Sequence, residues 1–371
     1  MDKSSVIFGN PMDPKTLAKA EKAKAGFLKK FGDDTNTVYH LGLQPIDQIP
    51  ELGIQNLVHS DTPLELPENA LIVGNIRMGF GHYRIAMAIA SCARALGRQP
   101  IWFDLASFDA TGSKMIRHQN DLYSMGSKLN QKVGLFNKLY WEPLNDHELV
   151  EGVAHDCAKR VERLDNGKPV RFLMTVGGAG AGGDLYLAMT KHLLPYIQAG
   201  KAELWINFGD HLTMWDVFKR ETPELKQTVK TYFDDYAGLK AWAAALDGDS
   251  PAGITAFCHR DIFEAVYSTN LLMRKCDVLV TKPSELAFYP VPKLMMRHIG
   301  GHEVYGAVHA QELGDSTFEC ETAPALADMI DTLINDKAIL KHMCGRIVQL
   351  KNQGVYNGGY EVVKLAINGR P

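Results

Sequence analysis

Three groups of residues in this chain have the types and spacing that chemistry requires. The first is Arg77-Met78-Gly79-Phe80-Gly81-His82, lying between an apolar run and an amphipathic one. Gly79 and Gly81 let the backbone turn tightly and approach a ligand closely. His82 then falls at or near the N-terminus of the next helix, where the dipole and free N–H groups favour anions. That positive end would keep the imidazole neutral and able to accept a proton. A polar cap in a sharp turn explains a single G-x-G-H equally well. The second group is Gly177-Gly178-Ala179-Gly180-Ala181-Gly182-Gly183, five glycines in seven residues. It lacks the Lys-Ser/Thr ending of a P-loop, and no acidic residue ends a strand at the distance a dinucleotide site prefers. A nest of N–H donors for a phosphate or carboxylate is favoured over a bare tight turn.

The third group is Thr281-Lys282-Pro283-Ser284-Glu285, followed by Gly300-Gly301-His302-Glu303. Thr281 and Lys282 end an apolar run, so a strand there would turn them toward a cleft. Ser284 can cap a following helix, and its hydroxyl or Lys282 can reach a phosphate. Glu285 and Glu303 are acceptors suited to ribose or sugar hydroxyls, and His302 can donate to a sugar or a diphosphate. Taken singly, Lys282 or Glu285 would be a surface ion pair of little energetic value.

Composition narrows the classes. The chain has 371 residues, enough for two domains at roughly 150 residues each. With 46% hydrophobic and 22% charged residues it has a globular balance. Lys and Arg number 40 against 43 Asp and Glu, a net charge of −3 that gives no global field for nucleic acid. The six cysteines show no C-x-x-C spacing, so they are expected to be reduced, mostly buried thiols. The first residues lack the pattern of a signal peptide, and no run is long enough to span a bilayer. A cytoplasmic protein is expected, with peripheral contact at the membrane left open.

The surrounding pattern supplies the elements. Asp13-Pro14 opens a basic helix that Gly32 stops, with Leu17, Phe27, Leu28 and Phe31 on its apolar side. A solvated helix face is favoured for it over a membrane-surface role. The rest of residues 1–65 remain unplaced. ALIVGN (70–75) is expected to be a strand. A helix through Ile85, Ile89, Ala93 and Leu96 follows, then the strand PIWFDL (100–105). A helical stretch from about Ser113 to Tyr140 carries Lys114, Arg117, Lys128, Lys132 and Lys138 among Tyr123, Phe136, Tyr140 and Trp141. An amphipathic helix packed on its domain is favoured over lipid docking here. Strands at 170–176, at AELWINFG, at 253–258, at 277–281 and at PKLMM alternate with helices in the second half, ending in helices at 322–335 and 337–352. The expected fold class is α/β, with two tandem Rossmann-like domains facing across a cleft. The first domain spans residues 1–165 and the second 166–371, with a return of the last helix to the first left open.

These pieces, in this order, resemble the GT-B glycosyltransferases. The resemblance is to the branch containing monogalactosyldiacylglycerol synthase, processive diacylglycerol glucosyltransferases and the N-acetylglucosaminyltransferase that makes lipid II. It rests on Met78 to His82, Asp104-Leu105, Tyr123 with Tyr140-Trp141, Gly177 to Gly180, Asp277 to Lys282 and Gly300 to Glu303. It implies His82 as the base that activates an acceptor hydroxyl. Arg77, Gly79, Gly81, Gly177, Gly178, Gly180 and Gly182 would line the acceptor and diphosphate region. Phe257-Cys258-His259-Arg260 would frame a uracil through main-chain groups. Thr281, Lys282, Ser284, Glu285, Gly301, His302 and Glu303 would contact the donor, with Lys282 or Arg260 supplying a cation to the diphosphate. The implied reaction is inverting hexosyl transfer from a nucleotide sugar, most simply a UDP-sugar, to an unknown acceptor that can be lipid-linked. No cofactor and no metal are implied. The segment 283–292 is shorter than the family's and lacks its glycines. A non-catalytic binder of a sugar nucleotide or other phosphorylated ligand therefore stands as an alternative, as does a nucleotide-sugar epimerase.

Overall fold

The computed structural model describes residues 6–7, 10–76, 80–119, 147–176, 183–223, 229–247, 253–298 and 303–369. A short pair, β1 (Val6–Ile7) and β2 (Asn10–Pro11), precedes α1 (Pro14–Phe31). Asp13 caps α1, accepting from the Thr16 N–H at 3.0 Å, Pro14 occupies the first turn, and Gly32 ends the helix.

The first α/β unit has a four-stranded sheet in the order β3 (His40–Pro45), β4 (Gln55–Ser60), β6 (Gln99–Asp104), β5 (Ala70–Asn75). The β3–β4 pair is antiparallel, and β4–β6 and β6–β5 are parallel. Between β5 and β6 runs α2 (Phe80–Ala95). Gly97, in the left-handed region at φ 73°, turns the chain after it. The buried side of α2 is Tyr83, Arg84, Ala86, Met87, Ala90 and Ala93. Ile85 and Ile89 are only half-buried and Leu96 is exposed, which corrects the expected face. The reason is that α2 is enclosed on more than one side, so small alanines set the approach distances.

The second unit carries six strands, all parallel. Their order is β12 (Lys293–Met295), β11 (Val278–Thr281), β7 (Val170–Thr175), β8 (Ala202–Asn207), β10 (Ile254–Cys258), β9 (Val229–Phe233). β7, β8, β10, β11 and β12 are buried at every residue, as parallel strands covered on both faces must be. One face packs under α4 (Gly183–Gln198), α5 (Leu212–Glu221), α9 (Ala323–Asn335) and the start of α10 (Lys337–Asn352). The other face packs under α6 (Tyr236–Ala244) and α7 (Ile262–Met273).

The two units meet through side chains. One apolar cluster joins Val73 and Trp102 of the first sheet and Phe80, Tyr83 and Met87 of α2 to Leu173, Trp205, Phe257 and Leu279 of the second sheet. Buried Arg84 reaches from α2 to α7, donating to the Val266 carbonyl, to Asn270 Oδ1 (both 3.3 Å) and to Thr269 Oγ1 (3.2 Å). Asn207 of β8 donates to the same Thr269 hydroxyl at 2.8 Å. α3 (His147–Asp165) packs along α10, and its buried Arg160 donates to the Cys276 and Met273 carbonyls at 2.6 Å each, covering the C-terminal end of α7. α8 (Val304–Leu313) follows β12, and α11 (Gly358–Asn368) lays Val363 against Cys92 and Ala93 of α2. All six cysteines are buried and unbridged. Among the described residues no helix is long and apolar enough to cross a membrane.

Candidate functional site

Strand order locates the site. From β7 the chain moves to β8, and from β11 it moves the opposite way, to β12. The carboxyl ends of β7 and β11 therefore flank a topological switch point, the crevice where open α/β sheets bind ligands. Residues 177–182 connect β7 to α4, and Lys282-Pro283-Ser284 leave β11.

Charge around this crevice is held in pairs. Lys282 Nζ, on a side chain 25% exposed, is ion-paired with Glu303 Oε1, whose side chain is 5% exposed. Arg297, just beyond β12, lies 3.2 Å from Asp184 in the first turn of α4. Next to it, His298 Nδ1 is 2.6 Å from Glu319. Among the described residues, Lys282, Arg297 and His298 thus each have a carboxylate partner.

The expected site residues fall in three places. Lys282, Ser284 and Glu303 gather at the switch point. Thr281 does not face a cleft: it is buried, and its hydroxyl donates to the Lys282 carbonyl at 2.8 Å. Ser284 makes no side-chain cap, and the segment it opens is a four-residue 3-10 turn, Glu285–Phe288, not an α-helix. Pro290 and Pro292, just beyond, stop the turn from growing. Gly81 and His82, both half-buried, lie in the first turn of α2. His259 and Arg260 follow β10, three strand spacings from β11 or about 14 Å away. Their main-chain donors are already used: the His259 N–H donates to the Gly209 carbonyl (2.9 Å) and the Arg260 N–H to Asp234 Oδ1 (2.8 Å). The Arg260 guanidinium also bonds Asp234, at 2.7 Å, on an exposed edge. Arg77, Gly79, Gly177, Gly178, Gly180, Gly182, Gly301 and His302 lie outside the described residues, as do Tyr123, Lys128, Lys132, Phe136, Lys138, Tyr140 and Trp141. Lys114 and Arg117 are described, and both pair with Asp109.

The start of α2 reaches the carboxyl edge of the second sheet at β8. Gly209 follows β8 at φ 63°, and a Cβ there would lie 2.5 Å from the Phe80 ring. Only glycine leaves room for that ring. Asp210 and His211 come next, with Nε2 and Oδ1 3.5 Å apart and the His211 ring 6.3 Å from Phe80. Sequence reasoning passed over this pair. Its signal was present as Gly209-Asp210-His211 closing the run AELWINF.

Beside β10 the environment changes to low polarity. The His259 ring is wholly buried, neither ring nitrogen has a hydrogen-bond partner, and burial pushes its pKa down. It packs edge-on to Tyr236, with centroids 5.7 Å apart. Glu264 lies 3.8 Å away, its pKa raised by burial, and the Cys258 thiol is pushed up to about 11 for the same reason. Asp234, at φ 51°, is held in the left-handed region, and the Arg260 N–H keeps its carboxyl below the usual range.

No curated protein matches the chain in sequence. A solved structure described as "Spinosyn Rhamnosyltransferase SpnG complexed with thymidine diphosphate" is similar over 80% of this chain and 99% of that one, at 12% identity and a TM-score of 0.28, a likeness too slight to argue from. Residues 6–163 match the family described as "Domain of unknown function (DUF6937)". Residues 143–367, more than half of the chain, match "Domain of unknown function (DUF6938)", and the chain belongs to that family.

Proposed function

We propose that the chain binds a nucleoside diphosphate sugar, most simply a UDP-sugar, at the crevice between β7 and β11, and transfers the hexosyl group to an acceptor hydroxyl with inversion. The observation that supports this reading is the Lys282–Glu303 pair at the switch point of a wholly parallel sheet. Lys282 would exchange Glu303 for a phosphate oxygen, and the released carboxylate would accept from a sugar hydroxyl. His82 would take the acceptor's proton as the new C–O bond forms at the anomeric carbon. The old anomeric C–O bond breaks, and its electron pair leaves with the diphosphate. The sequence resemblance supports the same assignment of roles.

The test is a panel of UDP- and GDP-sugars, with nucleoside diphosphate release and binding both followed. His82→Ala should lower turnover by about a hundredfold or more while donor affinity holds. Silence across the whole panel defeats the proposal. The 3-10 turn at Glu285–Phe288 favours a second reading, a binder without turnover, because no full helix N-terminus there can stabilise a leaving diphosphate. In that case ligands bind, nothing is released, and His82→Ala changes neither.

A further inference from the structure

We infer that Cys157 of α3 and Cys344 of α10 form an oxidation site, at which hydrogen peroxide makes a disulfide that staples the two helices together. α3 and α10 pack along one apolar seam, and both cysteines belong to it, beside Val150, Val153, Ile347 and Leu350. The two thiols share a hydrogen bond across the seam. A disulfide holds its two Cβ atoms about 4 Å apart and bonds the sulfurs directly, so thiols already in contact need only a small approach.

The charge beside this pair sets it apart from the other cysteines. Arg160, one turn beyond Cys157 on α3, is buried, and its Nε and Nη2 are spent on the Cys276 and Met273 carbonyls. Its Nη1 lies 3.9 Å from Cys157 Sγ. The bond from Cys344 and the charge of Arg160 hold the Cys157 pKa below the ordinary thiol value, against the opposing effect of burial. The thiolate is the form that attacks an oxidant. In Cys258, Cys276 and Cys320 burial wins, pushing the thiols up to about 11, about 12 and about 11. The Cys276 and Cys320 thiols also donate to main-chain carbonyls, of Met273 (3.5 Å) and Phe318 (3.8 Å).

Two steps complete the reaction. The Cys157 thiolate attacks one oxygen of peroxide, the O–O bond breaks, and the departing hydroxide takes up a proton to become water. Cys157 is left as a sulfenic acid. The Cys344 sulfur then attacks the Cys157 sulfur, the S–O bond breaks, and hydroxide leaves with the Cys344 proton as a second water. Two thiols have given two electrons to one peroxide. Exposure of 3% at Cys157 and 1% at Cys344 admits only a small oxidant, and peroxide is scarcely larger than water. The staple falls on a helix that touches both units. At the start of α3 the His147 N–H donates to Ser91 Oγ of α2 (3.0 Å), and farther along Asp156 accepts from Arg274 at the end of α7 (2.8 Å).

The test treats the folded full chain with hydrogen peroxide, alkylates the remaining thiols in denaturant, and maps the digest by mass spectrometry without reduction. A cross-linked pair of peptides carrying Cys157 and Cys344 is expected, lighter by two hydrogens than the separate peptides, with the other four cysteines alkylated. The oxidised chain should melt about 3 to 8 °C higher than the reduced one. In Cys344→Ser the sulfenic acid at Cys157 has no thiol to meet, so dimedone should label Cys157 and the melting temperature should not rise. In Cys157→Ser neither the cross-link nor the label should form. The mapping of the unaltered chain stands by itself should either variant fold poorly. No cross-link after peroxide, a cross-link through another cysteine, or one that forms only in urea would each overturn the inference.

Discussion

His259 shows how far one buried side chain can shape the behaviour of the molecule. Its ring lies among Asp234, Asp235, Asp261 and Glu264, yet burial dominates and lowers its pKa. An unfolded imidazole titrates near 6.5. Below that pH the unfolded chain takes up a proton that the folded chain resists, so stability present above about 6.5 declines as pH falls. His259→Phe keeps the packing on Tyr236 and removes the titration. Between neutral pH and about pH 5, its melting temperature should fall less than that of the unaltered chain. An equal fall would mean His259 is not held neutral. Burial also decided what could be read in advance at this scale. The position of His82 in the first turn of α2 was legible, because a glycine run between a strand and a helix leaves few alternatives. The fate of Thr281 was not, since a strand's last residue can turn its hydroxyl outward or, as here, onto the neighbouring carbonyl. Asp210 and His211 were missed because an Asp-His pair acquires meaning only once Phe80 is known to rest beside it.

At the scale of elements, the second sheet was readable because its central strands are continuous apolar runs of a kind that only a doubly covered parallel sheet requires. β3, β4 and β9 were not. They carry His40, Gln44, Gln55, His59, Lys230 and Thr231, which blur the alternation on which strand recognition depends. α8 and α11 were also missed; each is short, at 10 and 11 residues, and has few buried positions. The join between α2 and α7 rests on Arg84, a charged residue that periodicity alone places on a polar face. Its removal would take one donor each from Asn270 Oδ1, Thr269 Oγ1 and the Val266 carbonyl in a dry interface. Arg84→Ala should cost about 3 kcal/mol in urea denaturation, whereas Lys114→Ala, which breaks only the exposed pair with Asp109, should cost under about 0.5 kcal/mol. Similar losses for both would show that the α2–α7 contact is loose.

For the molecule as a whole, the decisive fact is the apolar cluster common to both sheets. Trp102 of the first and Trp205 of the second are members of one core, each almost wholly removed from solvent. Two units that share a core lose it together, so calorimetry should give a single transition with matching calorimetric and van't Hoff enthalpies. Two resolved transitions would separate the units energetically and refute the shared-core account. The Rossmann-like pairing was foreseeable from alternating strands and helices. The closeness of the contact was not, because it depends on alanines of α2 whose burial is set by a partner far along the chain.

The packing of α11 on α2 has a consequence for how the polypeptide is made. Cys92 and Ala93 reach the exit of the ribosome well before Tyr360, Val363 and Ile367, their eventual neighbours. At about 5 to 20 residues per second, that gap lasts from about ten seconds to about a minute. Throughout it the nascent α2 presents an unsheltered oily strip to solvent, and a chaperone has that long to hold it.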